Sequence, residues 1–205
     1  MLQFITHATS QYNILQGAEL ALKGGCKWIQ LRMKETAPED ILKTAIILKQ
    51  MCWAYGATLI IDDHVDICKQ ADLDGVHLGK EDMDPASARI ILGDKKIIGG
   101  TTNTFHDICC LVEKGVDYIG LGPFRFTTTK KKLSTLLGLE GYREIVCQCN
   151  SQGITAPIVA IGGITKQDIP AILSTGITGI AISSTILNAS SPIQETEEII
   201  HLLTR

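Results

Sequence analysis

The feature that most limits how this chain can fold is a join that recurs wherever a helical stretch gives way to a β-branched run. Gly24-Gly25-Cys26-Lys27-Trp28-Ile29, Ala71-Asp72-Leu73-Asp74-Gly75-Val76, Gly115-Val116-Asp117-Tyr118-Ile119 and Gly176-Ile177-Thr178-Gly179-Ile180 each set a small helix-ending residue just before an apolar strand. One repeated join implies one repeated strand-and-helix unit. In order, residues 2–6, 28–32, 58–61, 75–78, 96–99, 118–121, 159–161 and 179–182 read as short buried strands. Helical patterns separate them. One spans 12–23; in another, Ile41, Ala45, Leu48 and Cys52 share a face behind a Thr36–Glu39 capping box. Asp84-Pro85 opens a third, and 105–114 and 139–149 follow; Thr165 caps another, and Ser191-Pro192 starts a last helix carrying Ile193, Ile200 and Leu203. Strands alternating with helices require right-handed crossovers and a parallel sheet. Eight such units, with no Pro-rich linker between them, predict a single (β/α)8 TIM barrel over residues 1–205, an open doubly wound sheet being the runner-up.

Composition narrows the function. At 205 residues, 45% hydrophobic and 20% charged with net charge −3, the chain has the profile of a globular protein and no basic surface for a nucleic-acid partner. No apolar run reaches membrane-spanning length, and Met1 to His7 lacks the basic start and long apolar region of a signal peptide, so the cytoplasm is the expected location. Seven cysteines, an odd number without a CxxC pair, read as buried or incidental thiols. The five histidines form no zinc-ligand spacing with them.

In a barrel the loops after the strands hold ligands. Here Gln30, Arg32 and Lys34, then Asp62 and Asp63, Glu81 and Asp82, Thr101 and Thr102, Thr127 to Lys130, Gly162 and Gly163, and Ser183 and Ser184 all fall there. Gln30-Leu31-Arg32-Met33-Lys34 alternates, sending its polar residues to one side; they form either a solvated basic face or a grip on an anion. Asp63 and Asp82 follow adjacent strands, so their carboxylates suit a shared magnesium, while Asp62 or Asp63 as a helix cap is the competing role. Residues 122–137 read as a mobile loop whose Thr127, Thr128, Thr129 and Lys130 either close over a phosphorylated ligand or stay solvated. The glycines in Ile161-Gly162-Gly163-Ile164 make a tight turn or present amides to a phosphate, with Ser183 and Ser184 completing that site or acting as caps. His77 reads as a hydrogen-bonded structural histidine. No nucleophile motif is present, so covalent catalysis is not expected.

Together, Gln30-Leu31-Arg32-Met33-Lys34, Asp62-Asp63, the run from Asp74 to Asp82, Gly122-Pro123 with Thr127 to Lys130, and Ala160 to Ile164 resemble the thiamine-phosphate synthase family, in the family's order and over nearly the whole chain. The resemblance implies a magnesium-dependent transferase that joins hydroxymethylpyrimidine diphosphate to hydroxyethylthiazole phosphate and releases diphosphate by a dissociative route. It implies that Gln30, Leu31, Arg32, Met33, Lys34, Asp62, Thr101 and Lys130 hold the pyrimidine diphosphate, and that Asp63 and Asp82 hold the metal. Thr127, Thr128, Thr129, Gly163, Ser183 and Ser184 would hold the thiazole phosphate, with Arg32, Lys34 and Lys130 catalytic. Three positions depart from the family pattern: Asp62 stands where Asn is usual, Thr101 where Ser is usual, and the order around Phe124-Arg125-Phe126 is altered. A thiazole tautomerase-like isomerase or a non-catalytic thiazole-phosphate binder is the alternative. The sequence leaves a homo-oligomer open.

Overall fold

The computed structural model describes residues 1–126 and 136–204. Eight parallel strands close on themselves in sequence order: β1 (Leu2–Ile5), β2 (Trp28–Leu31), β3 (Thr58–Asp62), β4 (Gly75–Leu78), β5 (Ile97–Thr102), β6 (Tyr118–Leu121), β7 (Ile158–Ile161) and β8 (Gly179–Ile182), with β8 pairing β1. Closure excludes the open-sheet alternative. The helices are α1 (Ile14–Lys23), α2 (Pro38–Ala54), α3 (Val65–Gln70), α4 (Pro85–Leu92), α5 (Phe105–Glu113), α6 (Gly138–Ser151), α7 (Ile169–Leu173), α8 (Ser184–Leu187) and α9 (Pro192–Leu203). At the four recurring joins the chain passes through left-handed backbone at Gly25 (φ 90°), Asp72 (φ 49°), Gly115 (φ 72°) and Gly176 (φ 94°). That turn ends each helix and aims the chain into the next strand.

Period-two alternation along the strands produces two cores. Outward residues such as Phe4, Ile29, Leu31, Ile61 and Leu121 pack against the helices. Inward residues Ile60, Tyr118, Val159 and Ala181, flanked by Trp28 and Ile161, fill the barrel itself. On α2 the buried residues are Ile41, Ala45, Leu48 and Cys52, the stripe that helical spacing predicts. Among the described residues, no helix is long and apolar enough to cross a membrane.

Four local expectations change. The Thr36–Glu39 capping box does not form: Pro38, which has no N–H and a fixed φ, takes the first helical position, and Thr36 Oγ1 instead donates to the Lys34 carbonyl at 3.2 Å. β5 runs on past Gly99 to Thr102, because Gly100 to Thr102 continue to pair with β4 and β6. Behind the glycine strand, Thr165 and Asp168 form a reciprocal capping box, but the first turn, Lys166–Asp168, is a 3-10 helix ahead of α7. The short α8 after β8 was not anticipated by any apolar period. The loop reading for 122–137 falls largely on residues 127–135, outside the described residues.

Candidate active site

At the C-terminal mouth of the barrel, β2, β3 and β4 bring charge together. Gln30 and Asp62, both buried, pair inside the wall, with Gln30 Nε2 donating to Asp62 Oδ1 at 2.8 Å. Asp62 Oδ2 receives Arg32 Nε at 3.4 Å and Lys34 Nζ at 3.2 Å. Lys34 also pairs with Asp63, whose carboxyl shares a hydrogen bond with Asp82. The Gly79 amide donates to Asp82 at 2.7 Å. β2 ends at Leu31, so Arg32 and Lys34 lie on the loop, where the Arg32 amide donates to Thr6 Oγ1 at 2.9 Å. Neither aspartate caps α3: the cap position is His64, without a side-chain cap bond. The capping alternative is therefore gone.

Burial dominates the electrostatics of this corner. Asp62 is pushed above the usual carboxylate range by burial and then by the charge of Asp63; Lys34 and Arg32 offset only part of this. Burial also raises Asp63, yet hydrogen bonds from Lys34 and Asp82 outweigh it and hold Asp63 low. Asp82 goes up through burial and its hydrogen bond to Asp63. Lys34 stays above the ordinary lysine range because Asp62 and Asp63 overcome the effect of burial. Asp63 adopts a left-handed backbone, φ 64°, which costs a non-glycine residue on the order of 1 kcal/mol.

Two carboxyls near enough to shift each other's protonation repel when both are charged, and a shared proton or cation relieves that repulsion. Among the described residues, no three His, Cys, Asp or Glu side chains converge as a metal set. Asp63 and Asp82 nonetheless fit magnesium, which takes one or two carboxylates and completes its shell with water and substrate phosphate. Among the described residues, Gln30 Oε1 is buried without a hydrogen-bond partner in the same corner.

The opposite side of the mouth, after β6, β7 and β8, is built from backbone and ion pairing. Gly162 (φ 100°) and Gly163 (φ 65°) turn the chain at the end of β7. A Cβ at Gly163 would lie 2.6 Å from Arg125 Cγ and 2.9 Å from the Phe126 carbonyl oxygen, so only glycine fits. Arg125 spans the two loops, donating to the Gly163 carbonyl at 3.0 Å and to both Asp168 oxygens at 2.6 and 2.8 Å. Its guanidinium also sits 4.9 Å from the Phe124 ring centroid. Ser183 donates to the Ile5 carbonyl and lies 2.6 Å from His7 Nδ1, so its hydroxyl is engaged with β1 rather than capping α8. Ser184 is exposed at the first position of α8. The family model for thiamine monophosphate synthase matches residues 2–186.

The chain belongs to the thiamine monophosphate synthase family. Thiamine-phosphate synthase of Bacteroides fragilis is 56% identical over 201 residues, covering 98% of each chain. That of Phocaeicola vulgatus is 58% identical over 201 residues, covering 98% of this chain and 97% of its own. The solved thiamine phosphate pyrophosphorylase from Pyrococcus furiosus superposes with a TM-score of 0.85 at 32% identity, covering 99% of this chain and 95% of its own. Membership in the synthase family makes this chain a transferase that forms thiamine phosphate.

Within the synthase framework, the structure brings Gln30, Arg32, Lys34, Asp62, Asp63 and Asp82 into one corner and places Thr101 near it on β5. Gly163 lies across the mouth; β8, which leads to Ser183 and Ser184, pairs β7 there. Leu31 is buried against the helices and Met33 is half-buried, so a ligand at the mouth meets their backbone rather than the Leu31 side chain. Thr127, Thr128, Thr129 and Lys130 lie outside the described residues. Sequence reasoning missed the Arg125–Asp168 pair, whose partners are 43 residues apart, and missed Gln3 and Tyr118. The only early signal for the latter two was a glutamine inside an apolar strand.

Proposed function

We propose that this barrel, one catalytic unit over residues 1–205, joins hydroxymethylpyrimidine diphosphate to hydroxyethylthiazole phosphate with release of diphosphate. The observation that carries this reading is the corner itself: Arg32 and Lys34 held at the mouth by a buried carboxylate, beside Asp63 and Asp82 in contact. Such a corner suits a diphosphate leaving group and has no use in a simple ring tautomerisation. Gln30 to Lys34, Asp62, Thr101 and Lys130 bind the pyrimidine diphosphate. Gly163, Ser183, Ser184 and Thr127 to Thr129 bind the thiazole phosphate.

Asp63 and Asp82 would hold magnesium, which when bound supplies positive charge at the departing diphosphate. Arg32, Lys34 and Lys130 stabilise the same developing charge through their own side chains. The carbon–oxygen bond to diphosphate breaks first, both electrons leaving with the oxygen, and the thiazole nitrogen then captures the pyrimidine carbocation with its lone pair. No protein nucleophile is needed, so catalysis is positioning plus electrostatics. Asp62, unusual for the family, is turned down onto Gln30 and offers its second oxygen to the cations, which keeps its charge from facing the diphosphate directly. Cytoplasmic residence is supported by seven cysteines that are all free thiols.

The deciding experiment supplies both substrates with magnesium and measures thiamine phosphate and diphosphate together. Both products are expected in equal amounts. Isomerised thiazole phosphate without diphosphate would favour the tautomerase alternative, and tight product binding without turnover would favour a binding protein.

A further inference from the structure

Beneath the mouth, polar side chains from four strands form a line of hydrogen bonds through the barrel interior. Gln3 Nε2 donates to the Tyr118 hydroxyl at 3.1 Å. That hydroxyl lies 2.7 Å from His77 Nδ1, and His77 Nε2 lies 2.9 Å from Thr101 Oγ1. Gln3, His77 and Tyr118 are buried, while Thr101 is half-exposed at the top. The strands make room for this line: a Cβ on Gly99 would come within 2.1 Å of the Tyr118 ring, and one on Gly120 within 2.9 Å of His77 Cε1.

The direction of the line follows from which groups have protons to give. An amide nitrogen can only donate, so the Tyr118 oxygen accepts from Gln3. Its own proton, in a fully buried phenol that burial keeps protonated, requires an acceptor. His77 Nδ1 is in place to be that acceptor, which puts the ring proton of the neutral histidine on Nε2. Nε2–H then donates to Thr101 Oγ1, whose own proton has no other partner among the described residues and sits at the half-exposed end of the line.

We propose that Gln3, Tyr118 and His77 form a relay of fixed polarity that makes Thr101 a hydrogen-bond donor to an acceptor atom, a ring nitrogen or phosphoryl oxygen, of the pyrimidine diphosphate. His77 is thus a positioning residue, acting through Thr101 rather than on the substrate. The assignment rests on the function proposed above. It adds a specificity rule: the ligand atom facing Thr101 must accept, and an analogue carrying a donor there is rejected.

Two measurements test the relay. Long-range proton–nitrogen NMR on the histidine-labelled full chain is expected to show His77 neutral and protonated on Nε2 at neutral pH, with that preference lost in Tyr118→Phe. A Nδ1-protonated or doubly protonated ring would overturn it. In kinetics, His77→Asn keeps a group at the Nδ1 position but cannot reach Thr101, whereas His77→Gln retains a donor near the Nε2 position. His77→Asn should lower kcat/KM for the pyrimidine diphosphate about tenfold, the scale of one misdirected hydrogen bond, with the thiazole phosphate KM unchanged. His77→Gln should recover most of that loss. Thr101→Val should lose a similar factor, and adding His77→Asn to it should cost little more. Additive losses, equal losses for Asn and Gln, or a shifted thiazole phosphate KM would overturn the relay. If the wild-type chain forms no thiamine phosphate, the function fails instead, and the NMR tautomer still decides the relay because it needs no turnover.

Discussion

The two sides of the barrel mouth are built from different materials, and each suits one of the two phosphates in the proposed reaction. After β2, β3 and β4 the wall presents charge held in ion pairs: Arg32 and Lys34 against Asp62, which is buried, and Asp63, with Asp82 beside them. After β6, β7 and β8 it presents a rigid glycine turn, with the nearby arginine, Arg125, already committed to Asp168. The difference matches what each phosphate would do. A leaving diphosphate gains charge as its bond breaks, so preorganised cations beside it lower the barrier. A phosphate that only anchors its substrate changes no charge, and backbone amides suffice to orient it.

Breaking the charged side should have the largest effect. Asp63→Ala or Asp82→Ala should reduce turnover about a hundredfold or more and shift the magnesium dependence, read as thiamine phosphate formation across a magnesium titration. Unchanged turnover and magnesium response would remove the metal from that corner. On the rigid side, Gly163→Ala forces a side chain into left-handed backbone against Arg125 and Phe126, so a stability loss of about 1–3 kcal/mol is expected in denaturant unfolding. The same variant should raise the thiazole phosphate KM while leaving the pyrimidine diphosphate KM near wild type. If both rise together, the two sides are not separate binding sites.

Asp62→Asn restores the residue usual in the family and sharpens the contrast from the opposite direction. It keeps a hydrogen bond to Gln30, removes a buried charge, and releases Arg32 and Lys34 from it. The pyrimidine diphosphate KM should fall, by up to about tenfold for one partly screened charge contact. A higher KM would mean that Asp62 positions the cations more than it competes for them.

The smallest effect belongs to Asp168→Asn. Burial raises the Asp168 carboxyl, but Arg125 and Thr165 outweigh it and hold it below its ordinary value. A depressed carboxylate contributes stability above its unfolded pKa and loses it as pH falls through the folded value. Wild type should therefore be more stable than the variant near pH 7, by about 0.5–1 kcal/mol because Arg125 is 47% exposed and solvent screens the pair. The gap should shrink as pH falls through the acid range where carboxylates protonate; a gap independent of pH would show that the pair is not its source.

The strands and the outward helix faces were legible in the sequence because each depends on local periodicity, whereas the charged corner was singled out by its place after successive strands and by the family resemblance. Leu31 and Gln30 diverge to opposite faces by strand alternation alone, and the stripe from Ile41 to Cys52 follows from helical spacing. What the sequence could not decide was which of several chemically equivalent partners each polar group would choose. Asp62 was read as a helix cap or as a diphosphate neighbour, and the cap was excluded only once the folded barrel put His64 at the cap position of α3 and set β3 against β4 in the register Asp62 to His77. Gln3, Tyr118, His77 and Thr101 come from four separate strands, and Arg125 finds Asp168 only because β6 and β7 are adjacent. Amino-acid order fixes which faces are apolar through short-range periodicity. Hydrogen-bond direction and charge pairing depend on distances of a few ångströms between remote residues, and only the folded barrel sets those.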